Sequence, residues 1–242
     1  MDGILLVNKP AGMTSHDVVN RMRKILHTKK VGHCGTLDPD ATGVLVLCIG
    51  KATKALQFLM SETKVYQATL FLGTATDTYD SSGQIMEEKA FHGVRDVEET
   101  LQSFIGKQQQ IPPIYSAIKV HGKKLYEYAR NQEHVDIQPR TIMIEKIELI
   151  SQQDQSITFQ VKCSKGTYIR SLCVDIGKKL GYPAHMTHLI RLASGEFYLE
   201  DCYSLEDIEL ALLGKFIFFE DIEMSRFNFL NEIFKERQYD YI

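Results

Sequence analysis

No run in this 242-residue sequence approaches the roughly 20 apolar residues that a membrane-spanning helix requires. The opening Met-Asp-Gly-Ile-Leu-Leu-Val-Asn-Lys-Pro has no basic stretch followed by a long apolar core, so it does not read as a signal peptide. Cysteine is sparse: Cys34, Cys48, Cys163, Cys173 and Cys202 are odd in number, widely scattered and without a C-x-x-C pair. That argues against a disulfide framework or a structural zinc site and points to a reducing cytoplasm. N-x-[ST] sequons are missing, as are a P-loop, a G-x-G-x-x-G turn after a strand and any His/Cys cluster with ligand spacing. The expectation is a soluble cytoplasmic protein, away from membranes, that uses neither nucleotide cofactor nor metal and acts as a monomer.

The net charge of −3 is low for a nucleic-acid binder, but it is unevenly spread. Residues 196–223 hold nine Asp/Glu against one Lys, and residues 224–242 balance at zero, which leaves +5 on residues 1–195. Basic clusters fall at Arg21/Arg23/Lys24, Lys29/Lys30, Lys119/Lys123/Lys124 and Lys162/Lys165/Arg170. Each reads equally as a solvated face; together they permit RNA binding without proving it.

Strands and helices alternate without the regular β-α-β spacing of a doubly wound sheet. Ile4–Val7 is a short apolar strand, and Thr14 or Ser15 caps a helix with a stripe of Val18, Val19, Met22, Ile25 and Leu26. Val44–Ile49 is a buried strand, followed by a helix over Thr53–Met60 with Leu56, Leu59 and Met60 facing inward. In Tyr66–Leu72, Tyr66, Ala68, Leu70 and Leu72 share one face of a strand. A helix near Val97–Ile105 precedes strands at Ile142–Ile150 and Ile157–Cys163, and a helix around Ser171–Leu180 ends at Gly181, a left-handed cap. The fold class is α+β: a mixed, mostly antiparallel central sheet flanked by helices and loops.

The strongest local signal is Gly32-His-Cys-Gly-Thr-Leu-Asp-Pro-Asp-Ala-Thr-Gly43. Its glycines free the backbone, and Pro39 biases Asp38 away from helical angles, so a carboxylate sits on a constrained turn. A structural Asp bonded to local N–H groups reads the same way. An EF-hand fails, because its twelfth position would be Ile49, which has no carboxylate.

Five separated motifs, in order, resemble the TruB-type tRNA pseudouridine synthases. They are Asn8-Lys9-Pro10-Ala11-Gly12-Met13-Thr14-Ser15, the Asp38 segment, Lys64-Val65-Tyr66 with Leu72-Gly73 and Thr76-Asp77-Thr78, Pro112-Pro113-Ile114-Tyr115-Ser116-Ala117, and Lys165-Gly166-Thr167-Tyr168-Ile169-Arg170-Ser171-Leu172. The resemblance implies the pseudouridine synthase fold and isomerisation of uridine 55 in the T loop of tRNA, after the base is flipped out. It makes Asp38 the catalytic carboxylate, acting covalently on sugar or base or removing a ribose proton, which stays open. Arg170 would pair with it and lower its pKa. Tyr66 would stack on the base and serve C5 chemistry, although it also reads as a core tyrosine. His33 would fill the space the base leaves, Tyr168 and Leu189 would contact the flipped nucleotide, and Lys9 with Pro10 would support the substrate pocket. The stretch from Tyr115 to Arg140 would clasp the T arm. The catalytic domain is expected over residues 1–224, with 225–242 a tail too short for the PUA-type RNA-binding domain many family members carry. Two other readings remain: a non-catalytic tRNA-binding or folding module, and a glycosidase pairing Asp38 with Asp40, Asp77 or Asp80.

Overall fold

The computed structural model describes residues 2–60 and 63–212, and the expected tail at 225–242 lies outside them. Strand β1 (Gly3–Lys9) leads into helix α1 (Ser15–Ile25), then β2 (Val31–Cys34) and β3 (Thr42–Ile49). A 3-10 turn at Gly50–Ala55 and the short α2 (Leu56–Leu59) connect to β4 (Lys64–Leu72) and the hairpin β5 (Thr74–Thr76) and β6 (Ile85–Glu88). Next come α3 (Val97–Gln102), β7 (Gly106–Gln110), a small hairpin of β8 (Lys119–Val120) and β9 (Lys123–Lys124), and α4 (Leu125–Arg130). Long strands β10 (Arg140–Gln153) and β11 (Ser156–Cys163) precede α5 (Ile169–Lys179), β12 (Ala184–Ser194), β13 (Phe197–Tyr198) and α6 (Leu205–Leu212). Residues up to Ser204 form one compact unit; α6 belongs to a second that begins at Leu205.

The main sheet runs β1-β3-β12-β4-β11-β10-β7, with β2 added on β3 and β13 on β12. Every pairing is antiparallel except β3 with β12, where Ile190 lies opposite Thr42 and Arg191 opposite Gly43. The expected mixed, mostly antiparallel sheet is therefore what forms. The larger core lies between this sheet and helices α3 and α5, with Ala68, Leu70, Phe159, Leu101 and Ile176 among its buried members. Each such large side chain is worth roughly 1.5–3 kcal/mol of burial. A smaller cluster holds Cys34, Val44, Val46 and Cys48 on β2 and β3.

Thr14, not Ser15, caps α1: its hydroxyl accepts from the Asp17 N–H while Asp17 accepts from the Thr14 N–H, a closed capping box. Gly181 takes φ +83 after α5, as its position after the last apolar turn required. Two expectations are corrected. Over Thr53–Met60 the chain winds first as a 3-10 turn, and the tighter pitch re-phases the side chains, so Met60 faces out at 49% exposure. The helix at Val97 closes at Gln102, leaving Ile105 exposed.

Candidate active site

Asp38 stands on the turn between β2 and β3, and the residues on either side of it are pinned. The buried Ser15 hydroxyl donates to the Leu37 carbonyl at 3.2 Å and accepts from the Leu37 N–H at 2.9 Å. Behind it, the Pro39 carbonyl accepts from the Gly12 N–H at 3.0 Å and from Lys9 Nζ at 2.8 Å. Lys9 is fully buried, and its ammonium also donates to the carbonyls of Pro10 and Met13. Burial pulls its pKa down to about 8, with Asp40 and Asp38 pulling the other way. The opening Lys-Pro-Ala-Gly-Met-Thr-Ser run is thus the bed on which the Asp38 turn rests.

Arg170 reaches the same point from the first turn of α5. Its Nη2 donates to Asp38 Oδ1 at 3.1 Å, and Nε lies 2.9 Å from Oδ2 in an ionic contact too bent to count as a hydrogen bond. Nη1 donates to the Thr78 carbonyl at 2.9 Å, Nη2 also to the Tyr115 carbonyl at 3.0 Å, and Asp80 Oδ2 lies 3.7 Å from Nη1. One guanidinium, 5% exposed, therefore ties the Asp38 turn, the loop after β5 and the Tyr115 loop together.

Arg170 lowers the Asp38 pKa as expected, but it does not decide the balance. Burial pushes the Asp38 carboxyl above the usual carboxylate range; Arg170 pulls it down but is outweighed, and the charge of Asp80 adds to the rise. The Asp38 side chain keeps 35% of its surface exposed, so its burial is partial, but its one guanidinium is shared with a second acid.

A cleft of about 820 Å³ opens over this pair, with Tyr66, Tyr168, Leu189 and Arg191 among its walls. Tyr66 does both things its pattern allowed: its strand neighbours Ala68, Leu70 and Leu72 are buried in the core while its own ring edges the cleft. Burial pushes its phenol up, opposed chiefly by the charge of Arg191 and a side-chain hydrogen bond from it. Tyr168 is gripped by the side chain of buried Gln110, which accepts from the Tyr168 N–H at 2.8 Å and donates to its carbonyl at 3.0 Å. Leu189 belongs to the core and to the cleft wall at once.

His33 is not brought to the cleft wall. It lies on β2 opposite Leu47 with Nδ1 buried and unbonded, and burial pulls its pKa below the ordinary value, the Gly35 backbone opposing in part. Sequence reasoning left three groups without a role: Asp80 as second acid on Arg170, Gln110 as clamp, and Arg191 behind Tyr66. Only Asp80 carried a sequence signal, as one of several acids open to pairing with Asp38. The stretch from Tyr115 to Arg140 folds as the β8–β9 hairpin and α4 and lends Tyr126 and Arg140 to the cleft. Among the described residues no cluster of His, Cys, Asp and Glu could hold a metal ion. No described helix is long and apolar enough to cross a membrane.

Residues 23–169 match the family model of the TruB family pseudouridylate synthase N-terminal domain, and residues 170–215 match that of the tRNA pseudouridylate synthase B C-terminal domain. The tRNA pseudouridine synthase B of Bacillus cereus (strain ATCC 10987 / NRS 248) is 52% identical over 218 residues, 86% of this chain and 71% of that protein. The protein of the same name from Bacillus subtilis (strain 168) is 52% identical over 217 residues, 86% of this chain and 70% of its own. A Cbf5-Nop10-Gar1 complex contains a chain superposing with a TM-score of 0.69 at 33% identity, over 88% of this chain and 55% of that one. An H/ACA RNP bound to a substrate RNA containing 2'-deoxyuridine gives 0.66 at 30%, over 88% and 54%. The chain thus spans about half the length of these two solved chains.

Proposed function

The chain belongs to the TruB family of pseudouridylate synthases, and on that footing we propose that it isomerises uridine to pseudouridine in the T loop of tRNA, at position 55. The observation that carries the reading is the Asp38–Arg170 pair beneath an open cleft with Tyr66, Tyr168 and Leu189 in its walls. Pseudouridine formation breaks the bond from ribose C1′ to N1, turns the base, joins C1′ to C5 and releases the C5 proton while N1 takes one up. Electrons balance within the nucleotide, so the demands on the protein are placement, one ionised carboxylate and a proton acceptor.

Asp38 meets the second demand as nucleophile toward sugar or base, or as base toward the ribose. Its half-desolvated carboxylate is more basic than one in water, and Arg170 fixes its direction while favouring the charged form. Tyr66 offers the flipped uracil a ring to stack on, worth about 1–3 kcal/mol, and a phenol near C5. Tyr168 and Leu189 bound the nucleotide from the other walls. His33, outside the cleft wall in the free chain, suits the role of filling the emptied position in the T loop, with its low pKa favouring a neutral, insertable ring.

The test is release of tritium from 5-tritiated uridine in a T-stem-loop RNA, followed by mapping of modified uridines in bulk tRNA. Asp38→Asn abolishes release while the fold and RNA binding survive. Robust turnover by that variant removes Asp38 from the reaction; modification outside the T loop overturns the substrate site but spares the chemistry; binding without any release returns the non-catalytic module. Free uracil as product would instead favour hydrolysis by Asp38 with Asp80, which share Arg170.

A further inference from the structure

Arg191 is among the largest fully buried side chains, 1% exposed, and it sits against the catalytic turn rather than in the deep core. Its Nε donates to the Val44 carbonyl at 2.7 Å and its Nη2 to the Gly35 carbonyl at 3.2 Å. Those carbonyls belong to the two stems of the turn that carries Asp38, one before it and one after. Nη1 lies so close to Gly35 that a Cβ there would stand 3.4 Å from it. In the β12–β4 ladder Arg191 is the direct cross-strand partner of Tyr66. None of the ion pairs among the described residues involves it.

A buried cation without a carboxylate is a costly choice where an apolar side chain would pack more cheaply. Its bonds go to the turn's two stems, while its strand position faces the tyrosine. We propose that Arg191 is a positioning residue of the reaction, a single guanidinium that holds both stems of the Asp38 turn and fixes the Tyr66 phenol relative to them. This rests on the reading of Asp38 and Tyr66 as the reacting pair. Arg170 aims the carboxylate; Arg191 sets the distance between carboxylate and phenol.

Arg191→Lys keeps the charge and loses the fork. It should bind T-stem-loop RNA within about threefold of wild type, yet release tritium in a single turnover about 100-fold more slowly, the cost of a misplacement near 1 Å. Combined with Tyr66→Phe, the loss should fall short of the product of the two single losses by about tenfold or more. Losses that simply multiply, or a wild-type rate for Arg191→Lys, overturn the proposal. Should Arg191→Lys not fold, NMR of the 15N-arginine-labelled wild type and Tyr66→Phe reads the link directly. The slowly exchanging Arg191 guanidinium N–H signals should move on loss of the phenol oxygen, and unmoved signals refute the link. A wild-type chain that releases no tritium removes the reaction itself, which is a different failure.

Discussion

Replacing Gly43 by alanine should damage both stability and rate, and the structure fixes the scale. Gly43 sits at φ +102, where L side chains are strained, and its missing Cβ faces the backbone of the neighbouring strand. An added methyl carbon would stand 2.3 Å from the Arg191 carbonyl oxygen, 2.7 Å from its nitrogen and 2.9 Å from its carbonyl carbon. No rotamer can relieve contacts with backbone. Ordinary contact begins near 3.4 Å, so β12 must withdraw from β3 by about 1 Å. The left-handed conformation costs about 1–2 kcal/mol and the overpacking about 1–3 kcal/mol, together about 2–5 kcal/mol. At about 2–4 °C per kcal/mol for a domain of this size, thermal melting should fall by about 4–20 °C. The same withdrawal carries Arg191 and its strand partner Tyr66 away from the Asp38 turn, for about a 100-fold loss in single-turnover rate at 20 °C, where the variant is still folded. A variant that melts within about 2 °C of wild type and turns over at the wild-type rate would refute the close approach of these strands.

Asp80→Asn keeps the oxygen that accepts from Thr78 and Ser82 but removes the second negative charge on Arg170. Asp80 raises the Asp38 pKa, so its loss lowers it, and the acidic limb of the pH–rate profile should move to lower pH; an unmoved or rising limb contradicts the shared-guanidinium picture. Gln110→Leu leaves the Tyr168 N–H without its acceptor and its carbonyl with the Leu172 N–H alone, and should cost about 1–3 kcal/mol in denaturant unfolding, with RNA binding weakened more than the chemical step. Lys9→Met orphans the Pro10 and Met13 carbonyls, leaves that of Pro39 with the Gly12 N–H alone, and should destabilise by at least about 2 kcal/mol, with wild-type stability on the same measurement ruling out the anchoring role.

What the sequence made legible followed its periodicities. The alternation in Tyr66–Leu72 holds at Ala68, Leu70 and Leu72, with Tyr66 half-buried, and the Thr14 cap and Gly181 stop bound their helices where expected. Strand β12 escaped notice for a physical reason. A bulge between Met186 and His188 shifts its phase, so buried Ala184 and Met186 fall out of step with buried Leu189, Arg191 and Ala193, and no single alternation runs its length. Arg191 stayed unassigned with it, since a buried arginine satisfied by carbonyls leaves no mark that separates it from a surface one. The net rise of the Asp38 pKa is not legible in the sequence, because a motif names the partner of a carboxylate but not the water it has lost.

Strand β12 also dictates the order in which this molecule can be finished. β3 and β4 are near neighbours in the chain, yet they do not pair with each other in the sheet; residues 184–194, more than a hundred positions later, come to lie between them. Until those residues leave the ribosome, β4 has one unpaired edge and the Asp38 turn lacks its second staple. Long-range pairing of this kind is slow and exposes edges while it waits. The enzyme therefore has no halfway state with a working centre: the strand that closes the sheet is the one that completes the site.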